Sequence, residues 1–120
     1  MDALMSDRYI LRGKEAIPCD DLMQWAMNFE STDRHVAKTT ITPADSSLPS
    51  SHVSTVFLGL DHAWDSGPPL LFETMVFNGP MDQEMDRYST WEEAEAGHDD
   101  MVQRVMKAYG QQTALTAQSV

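Results

Sequence analysis

The longest alternation of apolar and polar positions lies between residues 53 and 77, VSTVFLGLDHAWDSGPPLLFETMVF. Residues 53–62 and 70–77 are rich in β-branched and aromatic side chains, which fit a pleated, half-buried surface. The DSGPP stretch between them cannot continue a ladder, because proline lacks the amide donor and glycine favours turns. The two segments therefore read as a hairpin folded about Ser66. That register sets Leu60 opposite Phe72, Leu58 near Thr74 and Val56 opposite Val76, which makes one apolar face. The other face carries Phe57 opposite Met75 and Glu73 opposite Gly59, with Thr55 and Asp61 nearby.

Two helical periodicities flank this hairpin. Leu22, Trp25, Ala26 and Phe29 recur at i, i+3, i+4 and i+7, an apolar stripe that suits packing on a sheet. Met23 and Met27 widen the stripe and give it a second reading as a partner-binding face. Asp20 or Asp21 caps its start, since a carboxylate accepts from the free amides of a first turn. The second helix is announced by Thr90 and Glu93 in capping-box spacing, with Ser89 as the competing cap. Trp91, Ala94, His98, Met101 or Val102, Val105 and Tyr109 trace its apolar face. Gly110 suits the position just past its end, and Lys107 complements its C-terminal dipole.

The remaining segments complete the order. Residues 1–7 read as a flexible leader, and residues 8–18 as a short hairpin turning at Arg12-Gly13-Lys14. Residues 35–42 alternate like a half-exposed strand, and 43–51 form a polar loop with two prolines, long enough to act as a lid. Asn78-Gly79-Pro80 is a turn, residues 81–87 lead into the last helix, and 111–120 read as a disordered polar tail. The order ββ-α-β-ββ-α over residues 8–110 predicts a single α+β domain. Its architecture would be a two-layer sandwich, with a mainly antiparallel sheet and two helices on one face. The open sheet face makes Phe57, Glu73, Met75 and Phe77 candidate interface residues, so a homo-oligomer or a protein partner is expected.

Charge changes the functional picture. At a net −11 over 120 residues, the surface repels nucleic acid, and direct binding to it is not expected. Asp82, Glu84, Asp86, Glu92, Glu93, Glu95, Asp99 and Asp100 fall in one span where Arg87 is the only basic residue. Such a run either solubilises the domain or mimics nucleic acid toward a basic protein. No apolar run approaches the roughly 18 residues of a membrane span, and the first nine residues are not those of a signal peptide. These features point to a soluble, cytoplasmic protein. Cys19 is the only cysteine, so no internal disulfide can form; it reads as a small, semi-buried side chain before the first helix.

Candidate chemistry is sparse. Trp64, Arg87, Tyr88 and Trp91 stand near element ends, where aromatic rings with an arginine can stack a base and hold a phosphate. Trp91 also opens a helix, whose first amides suit an anion; the competing reading makes the tryptophans core or rim packing. Asp61-His62 and His98-Asp99-Asp100 hold oxygen and nitrogen donors but lack the tight spacing of a metal motif, so neither metal nor cofactor is predicted. His98 fits a core histidine bonded to a carbonyl or carboxylate, and Asp61-His62 a loop tie. Asp61 and Glu73, with His62, are the one acid/base set from which a small hydrolase could be built. Alternatively Glu73 pairs with Lys38 or Arg87. No nucleophile elbow or phosphate loop is present, which favours binding over catalysis.

The segments STVFLGLDH, GPPLLFETMVF and DRYSTWEEAEAGH, with CDDLMQWAMNFE and DRHVAKT upstream, resemble a small uncharacterised family of bacteriophage and prophage proteins. The resemblance spans most of residues 9–105. It implies a viral accessory protein made in the host cytoplasm, of a kind that often modulates host machinery or defence. Taken with the candidate ligand residues, an anti-defence role through binding a host protein or a nucleotide signal is expected. It supplies no catalytic residue.

Overall fold

The computed structural model describes residues 7–64, 66–110 and 115–119. Residues 1–6 of the leader expected at 1–7, and the tail positions 111–114 and 120, lie outside the described residues; Asp7 is described, and its carbonyl accepts from the Asp61 amide. The elements are β1 (Tyr9–Arg12), β2 (Glu15–Pro18), α1 (Leu22–Ser31), β3 (His35–Pro43), β4 (Ser51–Phe57), β5 (Phe72–Phe77), β6 (Met85–Tyr88), α2 (Trp91–Tyr109) and β7 (Leu115–Ser119). β1 and β2 form a separate hairpin. The other five strands form an antiparallel sheet in the order β6-β5-β4-β3-β7. The α+β class and the antiparallel sheet agree with the sequence reading.

The central hairpin is there, but three residues out of the expected register. Phe57 pairs with Phe72, Thr55 with Thr74 and Val53 with Val76. Side chains alternate across a strand, so an odd shift exchanges its faces. Val53, Thr55 and Phe57 therefore point into the core, and Val56 shares the open face with Glu73, Met75 and Phe77. Gly59 causes the shift. Its φ of 78° takes the chain out of the ladder, and its carbonyl accepts from the Tyr9 amide instead of facing Glu73.

α2 lies across the covered face, held at its start by a complete capping box. The Thr90 hydroxyl accepts from the Glu93 amide, and the Glu93 carboxylate accepts from the Thr90 amide in return. Ala94, His98, Met101, Val102 and Val105 are buried along one side, as the periodicity predicts. Two apolar clusters result, Ile41, Val53, Val76, Met101, Val102 and Val105 in one, Leu11, Phe57, Leu71, Phe72 and Ala94 in the other.

α1 is capped by Asp21 and lies against β1. Trp25 and Phe29 stack at 5.1 Å over Gly59, whose carbonyl accepts from Trp25 Nε1. Leu22, read as part of the inward stripe, faces out instead, beside Met23 and Met27. Two strands were not expected. β6 forms where a lead-in to α2 was read. Residues 115–119, read as part of a disordered tail, pair as β7 along β3.

Candidate functional site

The expected ligand cluster does not assemble. Trp64 is 99% exposed on the β4–β5 loop. Arg87 points to the open sheet face, where its Nε donates to Glu73 at 3.0 Å. Tyr88, its neighbour, points the other way and lies against Gly97 of α2, where a Cβ would collide with its ring. The Tyr88 hydroxyl is buried without a partner in good hydrogen-bonding geometry. Burial raises its pKa, and Thr74 alongside offsets part of that. Trp91 borders a cavity.

That cavity, about 580 Å³, opens between the β1–β2 hairpin, the Pro68-Pro69 loop and the start of α2. Its floor is apolar. Leu71, Phe72 and Ala16 line it together with the Trp91 ring, which stands edge-on to Phe72 at 6.2 Å. Tyr9, Pro68 and Pro69 add flat walls, and burial of Tyr9, aided by the Asp61 carboxylate, pushes its phenol up. Arg12 and Lys14 sit at the mouth because Gly13, at φ 62°, makes the tight turn between them. Lys14 Nζ lies 5.9 Å from the centre of the Trp91 ring. Glu15 and Glu92 complete the rim. Trp91 Nε1 is buried without an acceptor, so it is a donor that a ligand atom could satisfy.

The fold engages Arg34, Arg87 and Arg104 more closely than the rim cations, while Lys38 and Lys107, like the rim pair, make no ion pair among the described residues. Arg87 is bound by Glu73, Arg104 by Glu84, Asp86 and Asp100, and Arg34 by the Phe57 carbonyl and the Phe29 ring. Arg12 and Lys14 make no ion pair among the described residues. The size and apolar lining are those of a small-molecule site, with a few polar groups that would fix orientation.

The other expected constellations are absorbed by the fold. Asp61 accepts from the amides of Ala63 and Leu70 and so ties the loop, while Glu73 is held by Arg87. No group of three metal-ligating side chains occurs among the described residues. His98 is buried with Nε2 2.8 Å from the Thr39 hydroxyl and Nδ1 2.7 Å from that of Thr55, rather than on a carbonyl or carboxylate. Burial lowers its pKa, the nearby Asp99 acting weakly the other way.

Phe57 cannot serve an interface, because it is buried beneath α2 against Phe72. The open face keeps Met75, Phe77 and Met85, with Glu73 closed by Arg87. In the acidic run, Asp82 accepts from the Asn78 amide, Glu93 caps α2, and Glu84, Asp86 and Asp100 surround Arg104. Glu92, Glu95 and Asp99 remain as an exposed residue set.

Reading the sequence overlooked Tyr9, Arg12 and Lys14. Their one signal was two cations flanking a glycine turn. Nothing local tells that this turn folds back onto Trp91. No protein-family model, curated protein or solved structure matches the chain.

Proposed function

We propose that this protein acts by binding rather than by catalysis, and that its ligand is a small planar molecule carrying an anionic group. One observation carries this reading: Arg12 and Lys14, cations without carboxylate partners in a strongly acidic chain, stand at the mouth of an apolar cavity walled by Trp91. A planar ring would lie on the Trp91, Pro69 and Tyr9 surfaces. Its charge would meet the guanidinium and ammonium at the rim. A mononucleotide has this chemistry, and the cavity has room for one.

In the viral context that the sequence resemblance implies, such binding would withdraw a nucleotide signal from a host defence pathway in the cytoplasm. The accompanying homo-oligomer would use the open sheet face through Met75, Phe77 and Met85. Mimicry of nucleic acid is the weaker alternative, since most of the acidic run is engaged within the fold. No helix among the described residues is long and apolar enough to cross a membrane.

Calorimetry with a mononucleotide, its nucleoside and inorganic phosphate tests the proposal. The mononucleotide should bind best, and Lys14→Glu should weaken it by about tenfold or more, the scale of one lost charge-assisted contact. Equal binding by wild type and Lys14→Glu, or no binding of any of the three, would refute it.

A further inference from the structure

α1 turns outward an apolar face that nothing among the described residues covers. Leu22, Met23 and Met27 are 61%, 69% and 64% exposed, and no residue of the helix is buried. Helical spacing puts Leu22, Met23, Ala26, Met27 and Glu30 on one side, while Trp25 and Phe29 turn inward over Gly59. A helix that only closes a fold carries polar residues on its outer side. Unbranched, polarizable methionine side chains instead suit a surface that remoulds around a partner.

Charge selects the occupant. Asp20 and Asp21 stand just before this helix, Glu30 lies in its last turn and Asp33 follows it, and no Lys, Arg or His occurs between residues 15 and 33. The flanking arginines are turned into the fold: Arg8 donates to the Asp20 carbonyl, and Arg34 to the Phe57 carbonyl while lying 3.9 Å from the Phe29 ring. Two copies meeting through α1 would bring like charges together, whereas a cationic segment gains on approach. We infer that the outward face of α1 docks a cationic amphipathic helix of a partner protein. The apolar side of that helix covers Leu22, Met23 and Met27, and its Lys or Arg residues meet Asp20 and Glu30, since Asp33 is already bonded to His35. This inference stands apart from the cavity at Trp91 and does not depend on it.

The probe is a fluorescently labelled peptide of leucine and lysine with its leucines on one helical side, compared with the same composition scrambled. Anisotropy is read for wild type and Met23→Glu/Met27→Glu, with urea midpoints confirming that both fold. The amphipathic peptide should bind wild type. Scrambling the peptide or introducing the double substitution should each cost about tenfold. The substitution is chosen for its sign. It makes the surface more acidic, so binding by charge alone would tighten. Tighter or unchanged binding by the double variant, or equal binding of the scrambled peptide, overturns the inference. So does a wild-type dimer in sedimentation that the double substitution converts to monomer, which would assign the face to a second copy.

Discussion

His98 Nδ1 lies 2.7 Å from the Thr55 hydroxyl, so a single imidazole from α2 is bonded into the middle of the sheet. The Thr55 hydroxyl bonds onward to Thr74 across the strand pair, and Nε2 reaches Thr39, which in turn contacts Ser119 on β7. A polar row therefore runs over four strands and separates the two apolar clusters. Neutral imidazole has one donor and one acceptor, and hydroxyls can meet either need.

The row makes stability depend on pH. Burial lowers the folded-state pKa of His98 below its ordinary 6.5, so below that value the unfolded chain binds the extra proton. Its contribution is fully present above about pH 6.5 and is lost progressively as pH falls toward the folded pKa. Urea midpoints between pH 7.5 and 5 should fall for wild type, with a shallower fall in His98→Gln. Parallel curves for the two proteins would count against this role.

Thr90→Ala should destabilise the protein by about 1 kcal/mol, because it removes the acceptor for the Glu93 amide. Ser89→Ala should be nearly neutral, since no side-chain bond of Ser89 takes part in the cap. Chemical denaturation of both variants checks the pair, and a larger loss from the serine change would contradict the assignment.

Assembly is tested at Phe77, not at Phe57. Phe77 is 46% exposed on the open face, so Phe77→Glu should leave the fold intact and shift sedimentation toward monomer. Phe57→Glu should instead fail to fold, because it would bury a carboxylate in the core. A wild-type chain that sediments as a monomer at micromolar concentration would remove the oligomer reading.

Substitutions at Trp64 and Arg87 separate the cavity from the cluster anticipated in the sequence. Trp64→Ala and Arg87→Ala should leave mononucleotide affinity unchanged, while Arg12→Glu and Lys14→Glu reduce it. Affinity should decline only modestly with salt, since stacking on Trp91 is not screened. A steep salt dependence, together with loss on neutralising Glu92, Glu95 and Asp99, would favour mimicry instead.

Local chemistry made much of the fold legible. The capping box, the helical face from Ala94 to Val105 and the strand-rich stretches depend on neighbours within a few residues, and these appear as read. The hairpin register did not, because turn signals marked where the chain could bend but not that Gly59 had already left the ladder. β6 is only four residues long and lies at a sheet edge, where alternation is hard to separate from a polar connection. The site was least legible, because Lys14 meets Trp91 through tertiary folding alone. Tyr88, the aromatic residue adjacent to Arg87 in sequence, points elsewhere.

β7 has a consequence for the order in which the fold can assemble. Thr39 and Ser119, 80 positions apart, meet only when residues 115–119 have been synthesised and have found β3. Until then β3 is an open edge, with its amides and carbonyls on that side available to any extended chain. Closing so long a loop is slow relative to hairpin formation, so the β4–β5 and β5–β6 pairs should be in place first. A chain in which β7 has not yet docked therefore exposes this edge of β3, where an extended segment of another molecule could pair.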